Sequence, residues 1–193
     1  MRNSSTDIER RKRRRRRRIQ VIIIYTAIAI CLAWFFESQA TTTVIFVRHA
    51  EKAAMPEDDP SLSQAGQQRA AELKRQLVDA DVVAGIDAVY ATPYRRTEET
   101  ARPVAEALDL PLNSYDANDT EAIMEHIVRE HKGKIVLVVG HSNTVPALIG
   151  NMGASKKVPP IAEDEYDNIY IVSIPWFGKT KTIRLRYGEP YVP

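Results

Sequence analysis

The sequence predicts an α/β domain, a three-layer α/β/α sandwich with a mostly parallel central sheet, behind one amino-terminal transmembrane helix. Three observations predict it. An apolar stretch, Ile19 to Phe36, follows directly on a run of nine cations. From Thr42 onward, short β-branched runs alternate with stretches of helical periodicity, as in sheets whose helices cover both faces. The polar residues richest in chemistry fall directly after those runs, where open α/β sheets bind ligands.

Residues 1–18 hold ten basic and two acidic residues, and self-repulsion predicts a disordered basic tail on the cytoplasmic side. Residues 19–36 contain only Gln20 as a clearly polar residue. At about 1.5 Å per residue they span roughly 27 Å, enough for the hydrocarbon core of a bilayer. The basic block holds the amino terminus in the cytoplasm by the positive-inside rule, and Trp34, Phe35 and Phe36 suit the far interface. A retained anchor and a cleaved signal peptide both fit. Ser38-Gln39-Ala40 has small residues at the spacing a signal peptidase reads, which would release a secreted domain after Ala40. The apolar run exceeds the usual ~7–15 residues of a signal core, which favours retention as a single-pass protein. Cys31 follows Ile30 rather than a small residue, so no lipoprotein site is expected. Either route puts the remainder outside the cytoplasm, as a short linker over 37–41 and one domain over 42–193.

The whole chain has 27 Lys+Arg against 25 Asp+Glu, but residues 41–193 alone hold 17 basic and 22 acidic residues. That excludes a nucleic-acid partner read from overall charge, because the positive excess sits in the tail. A single cysteine excludes an intrachain disulfide framework and any multi-cysteine metal centre.

Within the domain, Thr42 to Val47 reads as a buried strand. Ser63 caps a helix with Ala70, Leu73 and Leu77 along one face. Ala88 to Ala91 is a short strand, and Thr97 to Leu108 a helix kinked at Pro103. Asp119 or Thr120 caps a helix through Ile123 and Ile127, closed by Gly133. Lys134 to Val139 is a strand, and Thr144 to Ile149 begins a helix with Pro146 in its first turn. Asn168 to Ile174 and Thr182 to Arg186 are closing strands joined by a turn at Gly178. Glu163 to Asp167 is an acidic patch before a strand that could screen the pocket or bind a cationic part of the substrate, and reads by default as a solvated loop. His126 and His131 lie roughly 140° apart on a helix, so they are expected at the surface and not as a metal pair.

Three polar clusters follow the first three strands: Arg48-His49, Thr92-Pro93-Tyr94-Arg95-Arg96 and Gly140-His141-Ser142-Asn143. Converging, they would form a cationic crevice. Guanidiniums bind phosphoryl oxygens through paired donors, and an imidazole can attack phosphorus and carry it covalently. Arg48-His49-Ala50-Glu51 resembles the Arg-His-Gly-Glu signature of the histidine phosphatase superfamily, related to phosphoglycerate mutases. The resemblance continues in order through Leu62-Ser63-Gln64-Ala65-Gly66, Thr92 to Arg96 with Glu99-Thr100-Ala101, and Gly140-His141-Ser142-Asn143.

It implies that His49 is the nucleophile, that Arg48 and Arg96 bind the phosphoryl oxygens, and that His141 stabilises the transferring group. Ser142 and Asn143 would line the substrate site, and Arg95 would lie at the surface or at the substrate rim. No metal or other cofactor is expected, since four donors already offset the phosphoryl charge. The partners expected are a phosphorylated substrate and the membrane. For the general acid the resemblance favours Asp116, with Asp119, Glu121 and Glu51 as alternatives. Ala50 departs from the usual glycine and should tighten the turn without abolishing chemistry.

Other readings are weaker. Gly140-His141-Ser142-Asn143-Thr144 is similar to a nucleophile elbow, but the last glycine is Thr144 and no histidine follows His141 to serve as base. A tethered pseudophosphatase would not need both histidines and both arginines. A mutase would want an insertion to enclose its intermediate.

Overall fold

The computed structural model describes residues 4–38, 41–79, 85–153 and 158–192. It divides into two compact units, Met1–Gln39 and Ala40–Pro193. The first is a single helix, α1 (Ser4–Ser38), whose described side chains are exposed. The cationic run is therefore helical, where charge repulsion predicts disorder. Arginine and lysine are good helix formers, and extending an apolar helix already formed avoids the cost of a new nucleus. An eighteen-residue window within Glu9–Phe36 reaches a mean hydropathy of 2.3, so by length and composition the helix can cross a membrane. Gln39 and Ala40, two residues of the cleavage motif, lie outside the described residues.

The second unit is a six-stranded sheet in the order β3-β2-β4-β1-β5-β6. Its strands are β1 (Thr41–Arg48), β2 (Ala88–Ala91), β3 (Leu112–Ser114), β4 (Ile135–Gly140), β5 (Asn168–Pro175) and β6 (Lys181–Arg186). The β1–β4, β2–β4 and β2–β3 pairs are parallel, whereas β5 runs antiparallel to both β1 and β6. The helices are α2 (Gln64–Val78), α3 (Arg95–Ala107), α4 (Thr120–Glu130) and α5 (Thr144–Asn151).

Alternation along the strands sends side chains to two cores. Val44, Phe46, Val136 and Val138 pack with Ile127 of α4 and Leu148 of α5. Ile45, Val47, Leu137 and Val139 pack on the other face with Leu73 of α2 and Val104 of α3. Most of these side chains have no exposed surface, and each contributes about 1.5–3 kcal/mol by leaving water. This is the expected α/β sandwich.

The caps follow the local chemistry. Ser63 accepts a hydrogen bond from the Gly66 amide, and Asp119 from the Ala122 amide. Gly133 takes φ +70 after α4 and Gly178 φ +117 in the β5–β6 turn, both open to glycine at little cost. The two histidines expected to stay apart meet at one atom. His126 Nε2 lies 3.1 Å and His131 Nε2 2.9 Å from the Tyr90 hydroxyl. The helical angle does not apply to His131, which is the residue capping the end of α4.

Candidate active site

β1, β2 and β4 end side by side, because Arg48 pairs with Gly140 and Ala91 with Val139. Beyond them the His49 amide donates to the Gly140 carbonyl at 2.8 Å. A cleft of about 530 Å³ opens there, lined by Arg48, His49, Arg96, His141, Ser142 and Asn143 together with Lys52, Tyr94, Asn118, Glu163 and Tyr166. Six of the seven residues singled out from sequence thus share one site.

His49 is 5% exposed, and its Nδ1 lies 2.8 Å from the Ala50 carbonyl oxygen. A carbonyl can only accept, so Nδ1 carries the proton and Nε2 keeps its lone pair. The His141 ring stands 5.3 Å away, centroid to centroid, at an interplanar angle of 64°. His141 Nε2 lies 2.9 Å from Thr92 Oγ1, which lies 2.9 Å from Thr97 Oγ1. The Thr97 hydroxyl donates to the carbonyls of Thr92 and Tyr94, at 2.9 and 2.7 Å. Thr92 must then donate to Thr97 and accept from His141 Nε2–H, which fixes the second imidazole.

The two arginines are held differently. Arg48 is 5% exposed and donates through Nη1 to the carbonyls of Ala162 (2.7 Å) and Glu165 (3.0 Å). Its guanidinium lies 4.1 Å from the Tyr166 ring centroid. Its Nε is buried with no acceptor among the described residues, a donor suited to a phosphoryl oxygen. Arg96 stacks 4.6 Å over Tyr94 and makes only a long 3.8 Å contact with Asp59. Arg95 does not line the cleft; it is largely exposed and lies 3.8 Å from Glu99.

The remaining motif residues hold the chain that carries His49. The Ala50 amide donates to Thr100 Oγ1 at 2.9 Å, and the Leu62 amide to Glu99 Oε2 at 2.7 Å. The Ala50 methyl packs with Leu62 and Ala70, so it fills a small apolar cluster. Gly66 passes so close to this segment that a Cβ would lie 2.1 Å from the Glu51 carbonyl oxygen. Gly66→Ala is therefore expected to destabilise the domain by about 2 kcal/mol and to lower Tm by roughly 4–8 °C in a thermal melt.

None of the four acid candidates lines the cleft. Asp116 Oδ1 accepts from the amide and side chain of Asn118, at 2.8 and 3.1 Å, and it is Asn118 that reaches the wall. Asp119 caps α4. Glu121 borders a separate groove between α4 and α5. Glu51 pairs with Arg69 at 2.8 Å. Glu163 is the carboxylate in the lining, and the acidic loop around it is only partly solvated. Asp167 is fully buried and takes both oxygens to Arg186 Nη1, at 2.8 and 2.7 Å, while Glu165 lies 3.3 Å from Arg186 Nη2. Tyr94 lies within the second polar cluster and Glu163 and Tyr166 within the acidic patch, but the sequence reading gives none of the three its own place in the site.

Burial, reinforced by Arg48, His141 and Arg96 against the Ala50 hydrogen bond, lowers the His49 pKa to about 3. Burial, then Arg96 and Arg48, lowers that of His141 to about 4. Between the ordinary value near 6.5 and these values, the unfolded state binds more protons than the folded one. The two rings thus contribute stability above about pH 6.5 that is lost as pH falls through the window. Wild-type Tm should fall from pH 7 to about 4 more steeply than that of a His49→Gln, His141→Gln double variant, as thermal melts across that range would show.

The model of the histidine phosphatase superfamily, branch 1, matches residues 44–117. That stretch, which carries Arg48, His49 and Arg96, is similar to the histidine phosphatase superfamily. The match stops before His141, which the fold brings back beside His49. Among solved structures, the chain is similar to the protein histidine phosphatase SixA complexed with tungstate, at 21% identity and a TM-score of 0.61, covering 75% of this chain and 96% of that one. It is similar to a phosphoglycerate mutase from Bacillus anthracis, at 15% identity and a TM-score of 0.60, covering 77% and 95%. A phosphoserine phosphatase from Entamoeba histolytica, in complex with 3-phosphoglyceric acid, matches at 14% identity and a TM-score of 0.55, covering 77% and 97%. Identities this low show a shared fold. No curated protein sequence matches the chain.

Proposed function

We propose that the domain is a metal-independent phosphomonoesterase working through a phosphohistidine at His49. The observation that carries this reading is the unprotonated Nε2 of His49, fixed by Nδ1–H on the Ala50 carbonyl, in a cleft shared with Arg48, Arg96 and His141. Nε2 attacks phosphorus and the bond to the ester oxygen breaks. The proton stays on Nδ1, donated in a hydrogen bond to the Ala50 carbonyl, so phosphorus is bound to a cationic ring that leaves readily. The two guanidiniums offset the charge on the three non-bridging oxygens, with His141, Ser142 and Asn143 lining the substrate's path. Glu163, entering the cycle as the carboxylic acid, protonates the leaving oxygen and becomes a carboxylate. It then takes a proton from the water that attacks phosphorus as the P–N bond breaks, releasing phosphate and restoring His49.

A proton donor matters most for a poor leaving group. Glu163→Gln should lower kcat on an alkyl phosphate by about 10²–10³-fold and leave p-nitrophenyl phosphate nearly unaffected, both assayed in chelator. If Asp116→Asn shows that split instead, the acid is Asp116. A wild type that binds phosphate and hydrolyses neither ester is a binding module, and the proposal fails.

Residues 1–18 are assigned to the cytoplasm, 19–36 to the membrane, and 42–193 to the far side as a single-pass protein. The charge asymmetry around the apolar run supports this. A carboxyl-terminal reporter active only in the cytoplasm should be silent, and the mass of the mature chain separates retention from cleavage near Ala40.

A further inference from the structure

Arg186 is the last residue of β6, an edge strand of the sheet, and it does not line the cleft. It pairs with Asn168, the first residue of β5, so it stands beside the segment that leads into β5. β5 separates β6 from β1, which places Arg186 two strands, roughly 10 Å, from the strand that ends at Arg48. Its guanidinium holds two buried carboxylates of that segment. Nη1 donates to both oxygens of Asp167, at 2.8 and 2.7 Å, and Nη2 to Glu165 Oε1 at 3.3 Å. The other oxygen of Glu165 accepts from the Ala162 amide at 3.1 Å, and the Glu165 amide donates back to the Ala162 carbonyl at 3.1 Å. This reciprocal pair closes the turn over 162–165 and brings the carbonyls of Ala162 and Glu165 to one atom, Arg48 Nη1.

Between Glu165 and Asp167, Tyr166 faces the other way. Its ring lies 4.1 Å from the Arg48 guanidinium and 5.9 Å, centroid to centroid, from His49. The alternation is that of an extended chain, whose neighbouring side chains point to opposite sides. Pinning residues 165 and 167 from one side thus fixes residue 166 on the other. We propose that Arg186 is a positioning residue for the phosphoryl site: through Glu165 and Asp167 it fixes the turn and the tyrosine that aim the Arg48 guanidinium. The proposal rests on the phosphoryl-binding role given to Arg48 above. A guanidinium is planar, so two bonds at Nη1 and a ring on its face set the direction of the buried Nε, the donor left for a phosphoryl oxygen. A misplacement of about 1 Å at such a donor costs about 10²-fold in rate. Arg96 is held by the Tyr94 face and a distant Asp59, neither of them on this segment. The effect of Arg186 therefore passes through Arg48 and bypasses Arg96.

Arg186→Ala would strand two buried carboxylates and risks unfolding the domain, so two gentler changes serve. Arg186→Lys keeps a charge for Asp167 but lacks the fork that also reaches Glu165. Glu165→Gln keeps an oxygen for the Ala162 amide and the Arg186–Asp167 pair, and removes the charge that faces Arg186 Nη2. Full-length chains are assayed with p-nitrophenyl phosphate, and their Tm is read from thermal melts. Each change should lower kcat/KM by about 10–10²-fold, with Tm within about 5 °C of wild type. In an Arg48→Ala background the same change should cost less than about threefold, whereas in Arg96→Ala it should cost its full factor. An equal loss in the wild-type and Arg48→Ala backgrounds, or a wild-type rate in both variants, overturns the proposal. A collapse of Tm in both also overturns it, because the network then serves stability alone. If the wild type hydrolyses no ester, the phosphatase reading fails, and the cycle is read on the Kd of inorganic phosphate by calorimetry. There, coupling between Arg186 and Arg48 supports the positioning role, and additivity overturns it.

Discussion

His49→Ala is expected to lower turnover of any phosphomonoester by on the order of 10⁵-fold or more. The size follows from what the residue does. On the proposed mechanism its Nε2 forms the bond that replaces the ester oxygen. His141 is the neighbouring imidazole, but its Nε2–H is committed to Thr92, which is itself held by Thr97. The cleft should survive the substitution, because the Arg48 bonds to Ala162 and Glu165 do not involve the His49 ring. Inorganic phosphate or tungstate should therefore still bind, measured by calorimetry, while steady-state hydrolysis disappears. A His49→Ala chain that keeps more than about one per cent of wild-type turnover would assign the attack to water or to another residue.

Arg48→Ala carries the second largest effect, and it acts on chemistry and stability together. On the proposed mechanism the guanidinium stabilises the transferring group, worth about 10³-fold in kcat/KM for a donor of this kind. It also satisfies two carbonyls of the loop that carries Glu163 and Tyr166, so its loss should cost about 2–3 kcal/mol and roughly 5–10 °C in Tm. Arg48→Lys should not rescue either loss, because an ammonium cannot bridge two carbonyls and a phosphoryl oxygen as a planar fork does. Arg96→Ala is the informative contrast. Its partners are the Tyr94 face and a distant Asp59, so kcat/KM should fall by about 10²–10³-fold with Tm nearly unchanged. Equal changes in Tm for the two variants would show that the Arg48 loop contacts contribute nothing.

What could be read from sequence was what local pattern controls. The β-branched runs gave the strands, and the polar clusters behind three of them gave Arg48, His49, Arg96, His141, Ser142 and Asn143, because parallel strands end on the same side of a sheet. The fourth wall of the cleft was hidden for the same reason in reverse. Glu163 and Tyr166 precede β5 by a few residues, yet they reach the site only because β5 returns antiparallel against β1, pairing Ile169 with Val47. That loop looked solvated because its partner, Arg186, is remote in sequence. The position of Asp116 after β3 was legible, but the direction of its carboxylate was set by the turn it forms with Asn118. In the tail, nine like charges outweighed helix propensity on paper, whereas continuity with the apolar helix decided the structure.

The measurement that bears most directly on a phosphohistidine mechanism is capture of the intermediate. The full-length chain is mixed with a radiolabelled phosphomonoester in the presence of chelator, quenched in alkali within the first turnovers, and digested. The predicted result is label on the peptide that contains His49, stable in base and lost in acid, and absent from His49→Ala. Turnover by the wild type with no such label, or equal labelling of His49→Ala, would contradict it.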